Sequence, residues 1–577
     1  MKFSKNSIKN LVVVSIIVSI YFAIVYRFSN LESNLIQNFI LRTEAPLYLL
    51  TFILFLSLLF LYHKQILKSF GGMKKNDWFC ILTIFIFAFI VRELVPPKTT
   101  RLFFDEDIYL DMAKQITKQL SSCLCNYGNK FKCFKCELMK WPVGHPFLLS
   151  IPFFFFGSSD VVASHFMIFL SSLSTVFVFL SSYLLFKNKK IAIFSSLVLA
   201  ILPVHILWSV TSSADVTFSF FTSLAIFFSI LSAKTNDLKI HVISLIALAL
   251  SVQAKTESVI LIPLYFLTQA FLNSNYLGMY EKKSYLLAII FSFSIIFVYL
   301  VHTLYAGRVD PWGSSGEKFG FGYLRSNFMK NLGYWFEVPA IEDKWSYAGK
   351  QLYHPFLLSV VACVGLPLLL KNSLKKFLML LCWFGALFLM YASFYAGSVY
   401  YGVDVRYVLP QYIPFSLICG FGFYSILNFM EKLVNEKKVF IFLIALLLFY
   451  FSTYLQKMHI PQEKIEESYG ARLYRNSVID FASKQPDDCY FISHVSSIYS
   501  WLGKGHIQVW YVYRPEFDSI LRDNNCVIFD EGYWCAIQVP ESQSCIEFGK
   551  KYKLELLKRV NDTKENKVYS LYKIILA

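Results

Sequence analysis

The chain has 577 residues, of which 56% are hydrophobic and only 16% are charged. A soluble globular protein carries about 25% charged residues, so this composition excludes a set of ordinary soluble domains, a disordered chain and a small disulfide scaffold. The net charge of +17 does not by itself indicate nucleic acid, because lysine and arginine collect in the cytoplasmic loops of membrane proteins. The composition predicts a polytopic α-helical membrane protein with no nucleic-acid partner.

Apolar runs of spanning length recur along the chain. A membrane helix needs about 20 mostly apolar residues, and about thirteen such runs are present: 11–28, 46–62, 78–95, 161–186, 191–209, 214–232, 239–254, 258–274, 284–303, 355–370, 376–398, 408–429 and 438–455. The first run is either a signal peptide or a membrane helix. No small-residue cleavage site follows it, which favours an uncleaved helix.

Lysine clusters in the loops predict the orientation. They lie at 2–9, 64–75, 187–190, 282–283, 371–376 and 432–438. All of them fall on one face if the thirteen runs all span, and that face is expected to be cytoplasmic. The N-terminus is therefore predicted inside and the C-terminus outside.

Three parts are predicted from this topology. Residues 1–77 hold the N-terminal spans. Residues 78–455 form a transmembrane catalytic module with external loops at 96–160 and 304–354. Residues 456–577 form a small external α/β domain, because a helical stretch near 470–484 precedes apolar runs of strand length. Those runs are 489–493, 508–512, 526–530 and 567–575.

The cysteines divide in the same way. Four of the twelve lie in predicted spans, and the other eight lie in predicted external segments: Cys123, Cys125, Cys133, Cys136, Cys489, Cys526, Cys535 and Cys545. An external compartment favours disulfides. A zinc site with four cysteine ligands is the alternative for the first four, and the pairing does not follow from the sequence.

Three adjacent carboxylates follow the third predicted span. Asp105, Glu106 and Asp107 precede Tyr109 and open a stretch that looks helical. Like charges this close need a shared cation or proton, so a general base or a metal ligand is one interpretation. The other is a solvated helix start, where acidic residues are favourable.

A second acidic position, Asp215, opens the sixth predicted span. It is either part of a helix N-cap with its neighbouring serines or a functional carboxylate on the same external face as Asp105. Two carboxylates below one cavity suit acid–base or metal-assisted transfer. Asp215 is therefore expected either to hold a divalent cation, Mg²⁺ or Mn²⁺, together with Asp105 or to position a cation.

Basic residues also lie on the predicted external face. Lys140 precedes Trp141-Pro142 and His145, Lys255 lies at the tip of a span pair, and Arg406 precedes Tyr407 at the start of the twelfth span. Contact with membrane lipid headgroups is one interpretation. Binding of a phosphate at the membrane surface is the other.

The order of these motifs resembles the GT-C superfamily of membrane glycosyltransferases, in the branch of protein O-mannosyltransferases and aminoarabinose transferases. Four segments carry the resemblance: Asp105-Glu106-(x)2-Tyr109, Lys140-Trp141-Pro142 with His145-Pro146, Pro203-Val-His205 followed by Asp215, and Arg406-Tyr407-Val-Leu-Pro410. Trp141 departs from the family's Lys-Pro-Pro pattern.

The resemblance implies a polyprenyl-phosphate-linked monosaccharide as donor, used at the external face of the plasma membrane on a protein, lipid or glycan acceptor. Asp105 would then be the general base of an inverting displacement, assisted by Glu106 and Asp215. The donor phosphate would contact Lys140, Lys255 and Arg406. Expected further substrate contacts are Asp107, Tyr109, His145 and Tyr407.

Other classes remain as alternatives. A transporter or flippase for a lipid-linked sugar is less favoured, because no repeat is evident and charged residues avoid the centres of the predicted spans. An oligosaccharide transferase of the same superfamily and a non-enzymatic scaffold are the others. Purified protein with a radiolabelled polyprenyl-phosphate sugar would separate them.

Overall fold

The structure is a computed structural model that describes most of the chain. The described residues are 19–102, 104–273, 283–309, 318–336, 354–399, 402–432, 435–458, 469–513, 515–524, 526–536, 543–563 and 566–575. Residues 11–18 of the first predicted span and the segments 310–317 and 337–353 of the second predicted external loop lie outside this set. The remainder of the first span that is described, 19–28, is helical.

The chain divides into two compact units. The first, here called the helical unit, comprises Met1–Lys98, Lys140–His145 and Ser164–Pro461. The second, here called the sheet unit, comprises Thr99–Met139, Pro146–Ala163 and Gln462–Ala577. The sheet unit therefore combines most of the first predicted external loop with the tail.

Long apolar helices form the helical unit. They are Ser33–Lys68, Lys75–Leu94, Lys189–Ile201, Pro203–Trp208, Ala214–Thr235, Leu238–Ser251, Leu261–Leu272, Lys283–Ile295, Phe297–Val309, Phe321–Trp335, Phe356–Asn372, Leu374–Ala392, Tyr412–Met430 and Glu436–Met458. The 3-10 helices Thr256–Ile260 and Gly402–Val408 stand between them. The helices Gly144–Phe156 and Asp160–Phe186 have residues in both units.

Several of these helices can cross a bilayer. Among the described residues, five are long and apolar enough: Ser33–Lys68, Asp160–Phe186, Ala214–Thr235, Leu374–Ala392 and Tyr412–Met430. A sixth span results if Lys283–Ile295 and Phe297–Arg308, which meet at 43°, count as one. The helical content and these spans fit an integral, multi-pass membrane protein. The thirteen spans and their orientation stay a prediction.

One predicted span is broken in the structure. The run 191–209 forms two helices that meet at Leu202, because Pro203 begins the second. Proline has no backbone N–H and cannot continue the hydrogen-bond ladder of the preceding helix. The last carbonyl groups of Lys189–Ile201 therefore need other partners.

The sheet unit contains a seven-stranded sheet. Its strands are β1 (Leu124–Gly128), β2 (Cys133–Glu137), β3 (Tyr490–Ser493), β4 (Gly505–Gln508), β5 (Val527–Glu531), β6 (Lys553–Asp562) and β7 (Lys567–Ile575), in the order β2-β1-β4-β3-β5-β7-β6. Strands β4, β3 and β5 are parallel, and the other pairs are antiparallel.

Most elements predicted for the tail are observed, but one predicted strand is wrong and β6 is not predicted. The helix Tyr469–Lys484 and strands β3, β5 and β7 lie where the sequence predicts them. The strand predicted at 508–512 is wrong: β4 ends at Gln508, and Val509–Tyr513 form a 3-10 helix. β-branched and aromatic residues favour strands only where sheet packing supports them.

All eight cysteines in the predicted external segments form disulfides. The pairs are Cys123–Cys136, Cys125–Cys133, Cys489–Cys526 and Cys535–Cys545. The predicted disulfides are thus confirmed, and the first four cysteines close the β1–β2 hairpin rather than form a zinc site. The four cysteines of the predicted spans are free.

Candidate active site

Asp215 is the centre of a buried polar cluster in the helical unit. It lies in the first turn of helix Ala214–Thr235, and its side chain is 3% exposed. Ser213 is the N-cap: its hydroxyl accepts a hydrogen bond from the Asp215 N–H at 3.2 Å and donates one to Oδ2 of Asp215 at 2.9 Å. The capping role considered for this segment therefore belongs to Ser213. The Asp215 carboxylate is left to bind other groups.

Two cations from distant parts of the chain bind the two oxygens of this carboxylate. Nζ of Lys255 lies 2.8 Å from Oδ1, and Nε of Arg406 lies 3.3 Å from Oδ2. Lys255 is the residue that precedes the 3-10 helix Thr256–Ile260, and Arg406 lies within Gly402–Val408. The two 3-10 helices thus place Lys255 and Arg406 at the start of helix Ala214–Thr235.

Each cation has a second carboxylate nearer the rim of the cluster. Oε1 of Glu257 lies 3.1 Å from Nζ of Lys255, and Oδ1 of Asp404 lies 3.4 Å from Nη1 of Arg406. These two acidic side chains are 12% and 15% exposed, against 3% for Asp215. Lys255 and Arg406 are therefore each paired with two carboxylates. Sequence reasoning missed both partners, although each stands two residues from its cation.

Two stacked tyrosines complete the cluster. The rings of Tyr391 and Tyr407 are 4.6 Å apart and nearly parallel. The Lys255 ammonium lies 4.9 Å from the Tyr407 ring centre and the Arg406 guanidinium 4.7 Å. The guanidinium also donates a hydrogen bond to the Tyr407 hydroxyl at 3.0 Å. The electron-rich ring faces stabilise both cations.

His145 packs on the segment that carries Asp215. Its Nε2–H donates to the carbonyl of Ser212 at 2.9 Å, and its Nδ1 accepts from the hydroxyl of Thr217 at 2.8 Å. A neutral imidazole with one donor and one acceptor satisfies both bonds. His145 is buried, so it braces the helix start.

The segment 140–145 also contacts the turn before Lys255. The Gly144 N–H donates to the carbonyl of Gln253 at 2.9 Å, and a Cβ atom at position 144 would lie 2.4 Å from that oxygen. Only glycine allows this approach. Nζ of Lys140 lies 5.4 Å from the ring of Trp141.

The predicted acidic triplet opens helix Asp105–Gln119 of the sheet unit, and its members have different surroundings. Asp105 is the first helical residue and is half-buried. Oε1 of Glu106 accepts hydrogen bonds from the backbone N–H groups of Arg101 and Leu102, at 2.7 and 3.1 Å. Glu106 therefore shapes the loop before the helix.

Asp107 has partners from the tail. Nε of Arg475 lies 2.9 Å from both of its oxygens, and the indole N–H of Trp501 donates to Oδ1 at 3.0 Å. Asp107 is fully buried and Tyr109 is 3% exposed. These contacts support a structural role for Asp107 within the sheet unit. Sequence reasoning had no signal for Arg475 or Trp501.

The structure thus gathers four of the predicted site residues, Asp215, Lys255, Arg406 and Tyr407, in one cluster and places His145 against it. The acidic triplet and Tyr109 belong to the sheet unit. The contacts of Asp215 do not fit the predicted Mg²⁺ or Mn²⁺ site, because two cationic side chains already contact its oxygens and would repel a metal ion.

Comparisons with known proteins connect this cluster to a family. Residues 140–302 match the family model described as dolichyl-phosphate-mannose-protein mannosyltransferase. The match includes Lys140, His145, Asp215 and Lys255. No match is found among curated proteins.

Solved structures share the fold at low sequence identity. ArnT from Cupriavidus metallidurans in the apo state superposes with a TM-score of 0.52 at 9% identity, covering 86% of this chain and 97% of that one. The same protein bound to undecaprenyl phosphate gives 0.50 at 12% identity, with 86% and 98% covered. The apo oligosaccharyltransferase of Archaeoglobus fulgidus gives 0.50 at 12% identity, with 84% and 73% covered.

Part of the chain is therefore similar to a family of mannosyltransferases, and the chain shares the fold of solved membrane glycosyltransferases. The resemblance to the branch of protein O-mannosyltransferases and aminoarabinose transferases is confirmed. The motifs that carry the resemblance at Asp215 and Arg406 meet in one buried cluster.

Proposed function

We propose that the protein moves a monosaccharide from a polyprenyl-phosphate donor to a hydroxyl group of a protein, lipid or glycan at the external face of the plasma membrane. The observation that carries the proposal is the pair of cations held by Asp215. Lys255 and Arg406 are fixed at 2.8 and 3.3 Å from one carboxylate. Preorganised cations in a water-poor site are effective at stabilising a leaving group whose negative charge grows in the transition state.

The donor phosphate has a defined place in this proposal. Asp215 is the inner partner that holds both cations, and Glu257 and Asp404 are outer partners at the rim. The phosphate would displace the rim carboxylates, since it offers more oxygen acceptors and binds guanidinium groups well. Lys140 would add a third positive charge.

The chemical step is an in-line displacement. The acceptor oxygen attacks the anomeric carbon as the bond from that carbon to the phosphate oxygen breaks. The hydroxyl proton passes to Asp105, and the bonding electron pair leaves with the polyprenyl phosphate. The configuration of the sugar carbon inverts. General-base assistance of this kind contributes roughly 10²–10⁴ in rate.

A second candidate function, transport of a lipid-linked sugar, has one observation in its favour. Glu44 and His302 lie within membrane-type helices, each about 1% exposed, and their side chains are 2.9 Å apart. The expectation that charged residues avoid the centres of the predicted spans stays a prediction, because Glu44 precedes the run 46–62 and His302 lies at the end of the run 284–303. Buried ionisable groups of this kind occur in proton-coupled transporters.

One experiment separates the two functions. The full chain in proteoliposomes is given radiolabelled polyprenyl-phosphate monosaccharides, mannose first, with an envelope fraction as acceptor. Transfer predicts that label leaves the lipid phase and that Asp105→Asn and Arg406→Ala abolish this release. Label that crosses the bilayer while still lipid-linked, with no release, would overturn the proposal in favour of transport.

A further inference from the structure

Arg92 is a fully buried cation at the end of helix Lys75–Leu94, and its five N–H groups all donate to neutral acceptors. Nε donates to the hydroxyl of Ser171 at 2.9 Å. The other four hydrogen bonds go to the carbonyl oxygens of Ala88, Ala200 and Leu199 and to Nδ1 of His205, at 3.0–3.2 Å. A guanidinium has five donors, so the buried charge is fully hydrogen-bonded.

The break at Pro203 explains two of these bonds. Leu199 and Ala200 are in the last turn of helix Lys189–Ile201, where carbonyl groups lack partners within the helix. Arg92 supplies donors to both, and a positive charge at a helix C-terminus is favourable. The side chain therefore fixes the broken end and the short helix Pro203–Trp208 that carries His205.

His205 continues a directed chain of hydrogen bonds. Its Nδ1 must accept, because it faces the N–H of Arg92, so its proton is on Nε2. Nε2–H donates to the hydroxyl of Ser219 at 3.2 Å, and that hydroxyl donates to the carbonyl of Leu409 at 3.1 Å. Every donor in this series of hydrogen bonds meets an acceptor.

The far end of this chain joins the two elements that form the candidate site. Ser219 lies one helical turn after Asp215 in helix Ala214–Thr235. Leu409 directly follows the 3-10 helix Gly402–Val408, and its N–H binds the carbonyl of Arg406 at 3.1 Å. The hydrogen bond of the Ser219 hydroxyl thus links helix Ala214–Thr235, which carries Asp215, to the backbone segment that carries Arg406.

We propose that Arg92, His205 and Ser219 are positioning residues that set the register of Arg406 against Asp215, and so tune affinity for the donor phosphate. The effect on affinity for the donor phosphate rests on the proposed function. The positioning of Arg406 against Asp215 does not. None of the three need touch the substrate. Their influence passes through the Ser219–Leu409 hydrogen bond.

The first test measures register without any ligand. Ser219→Ala removes only the hydroxyl that reaches Leu409, and Ser223→Ala is the matched control, since Ser223 is equally buried one turn later and binds the carbonyl of Phe220 in its own helix. Hydrogen exchange of the full chain should become faster at backbone amides 404–409 in Ser219→Ala only. Equal exchange in the two variants would overturn the positioning role.

The second test measures binding of radiolabelled undecaprenyl phosphate by the full chain in nanodiscs. Loss of one ordinary hydrogen bond corresponds to roughly three- to tenfold in affinity. Ser219→Ala should weaken binding by that factor, and Ser223→Ala should remain within about twofold of the wild type. Binding unaffected by Ser219→Ala but abolished by Arg406→Ala would overturn the link between register and affinity.

Failure of the proposed function has a separate signature. If Arg406→Ala binds the lipid like the wild type, the donor site assigned to Arg406 is wrong, whereas the exchange result for Ser219→Ala still decides the positioning role. His205→Asn keeps an acceptor for Arg92 but loses the donor to Ser219. If hydrogen exchange at amides 404–409 is unchanged in this variant, the proposed series of hydrogen bonds through His205 is overturned.

Discussion

The ammonium group of Lys255 lies 2.8 Å from Oδ1 of Asp215, and the two side chains are 11% and 3% exposed. Forty residues and a helical hairpin separate them along the chain. A buried carboxylate that binds a lysine through one oxygen and an arginine through the other holds two positive charges at fixed positions. In the proposed function, Asp215 therefore acts indirectly, by holding Lys255 and Arg406 in position.

Asp215→Asn is expected to reduce both stability and transfer. The substitution leaves Lys255 and Arg406 with one carboxylate each, Glu257 and Asp404. Breaking a buried ion pair costs up to about 3–5 kcal/mol, so the melting temperature should fall. Asp404→Asn is the matched comparison at the 15% exposed rim, and it should have a much smaller effect on melting temperature. Thermal unfolding of the purified proteins checks this. Equal decreases in melting temperature for the two variants would contradict the assignment of Asp215 as the inner partner and Asp404 as an outer partner.

Arg406→Lys should lower kcat/KM for the donor by about tenfold or more. The guanidinium bonds Asp215, Asp404 and the Tyr407 hydroxyl through different nitrogens, and a single ammonium does not reproduce that fork. Arg325→Lys, at an exposed position of helix Phe321–Trp335, is the control and should behave like the wild type. Steady-state kinetics at varied donor concentration provide the measurement. Unchanged donor kinetics in the Arg406→Lys variant would exclude a specific role for the guanidinium.

Asp105→Asn and Asp107→Asn should fail in different ways. Asp105 is half-buried at the helix start, so its amide variant should express and melt normally but lose transfer. Asp107 is buried against Arg475 and Trp501, so its amide variant should lower the melting temperature, because the buried guanidinium loses the nearer of its two carboxylate partners and keeps only Asp160. Transfer assays beside thermal unfolding separate the two. Normal activity of Asp105→Asn would remove Asp105 from the mechanism.

Asp215 can be found from the sequence because it is the only carboxylate between Asp160 and Asp237, and Lys255 and Arg406 because they lie on the predicted face opposite the lysine clusters. The structure brings Asp215, Lys255 and Arg406 together. Their mutual pairing could not be predicted, since it depends on how three distant segments pack. The partners Glu257 and Asp404 are missed because a residue two positions away is not a neighbour on a regular helix, whereas here both pairs lie in or beside 3-10 helices.

The strands of the sheet also differ in how well the sequence predicts them. The tail strand Lys567–Ile575 is predicted at its observed bounds, because its local pattern suffices. Strands β1 and β2 are not predicted, since nothing local indicates that a hairpin in the first loop joins a sheet formed more than 350 residues later, where Tyr127 pairs with Ile507. Long-range strand pairing is set by tertiary packing.

The stability of the sheet unit should fall as pH rises from about 4 to 6, in part through Asp530. Burial raises the pKa of Asp530 to about 6, against an unfolded value near 3.9. In that window the folded state keeps a proton that the unfolded state has lost, which corresponds to about 3 kcal/mol of stability lost with rising pH. Asp530→Asn should reduce the slope of the melting profile between pH 4 and 7, because the amide mimics the protonated acid beside Tyr474, Ser493 and Tyr499. The remaining slope includes Asp111, because burial raises its pKa to about 6 as well. Asp480→Asn, at an exposed position, is the control; if its profile and that of Asp530→Asn run parallel, the titration belongs to another group.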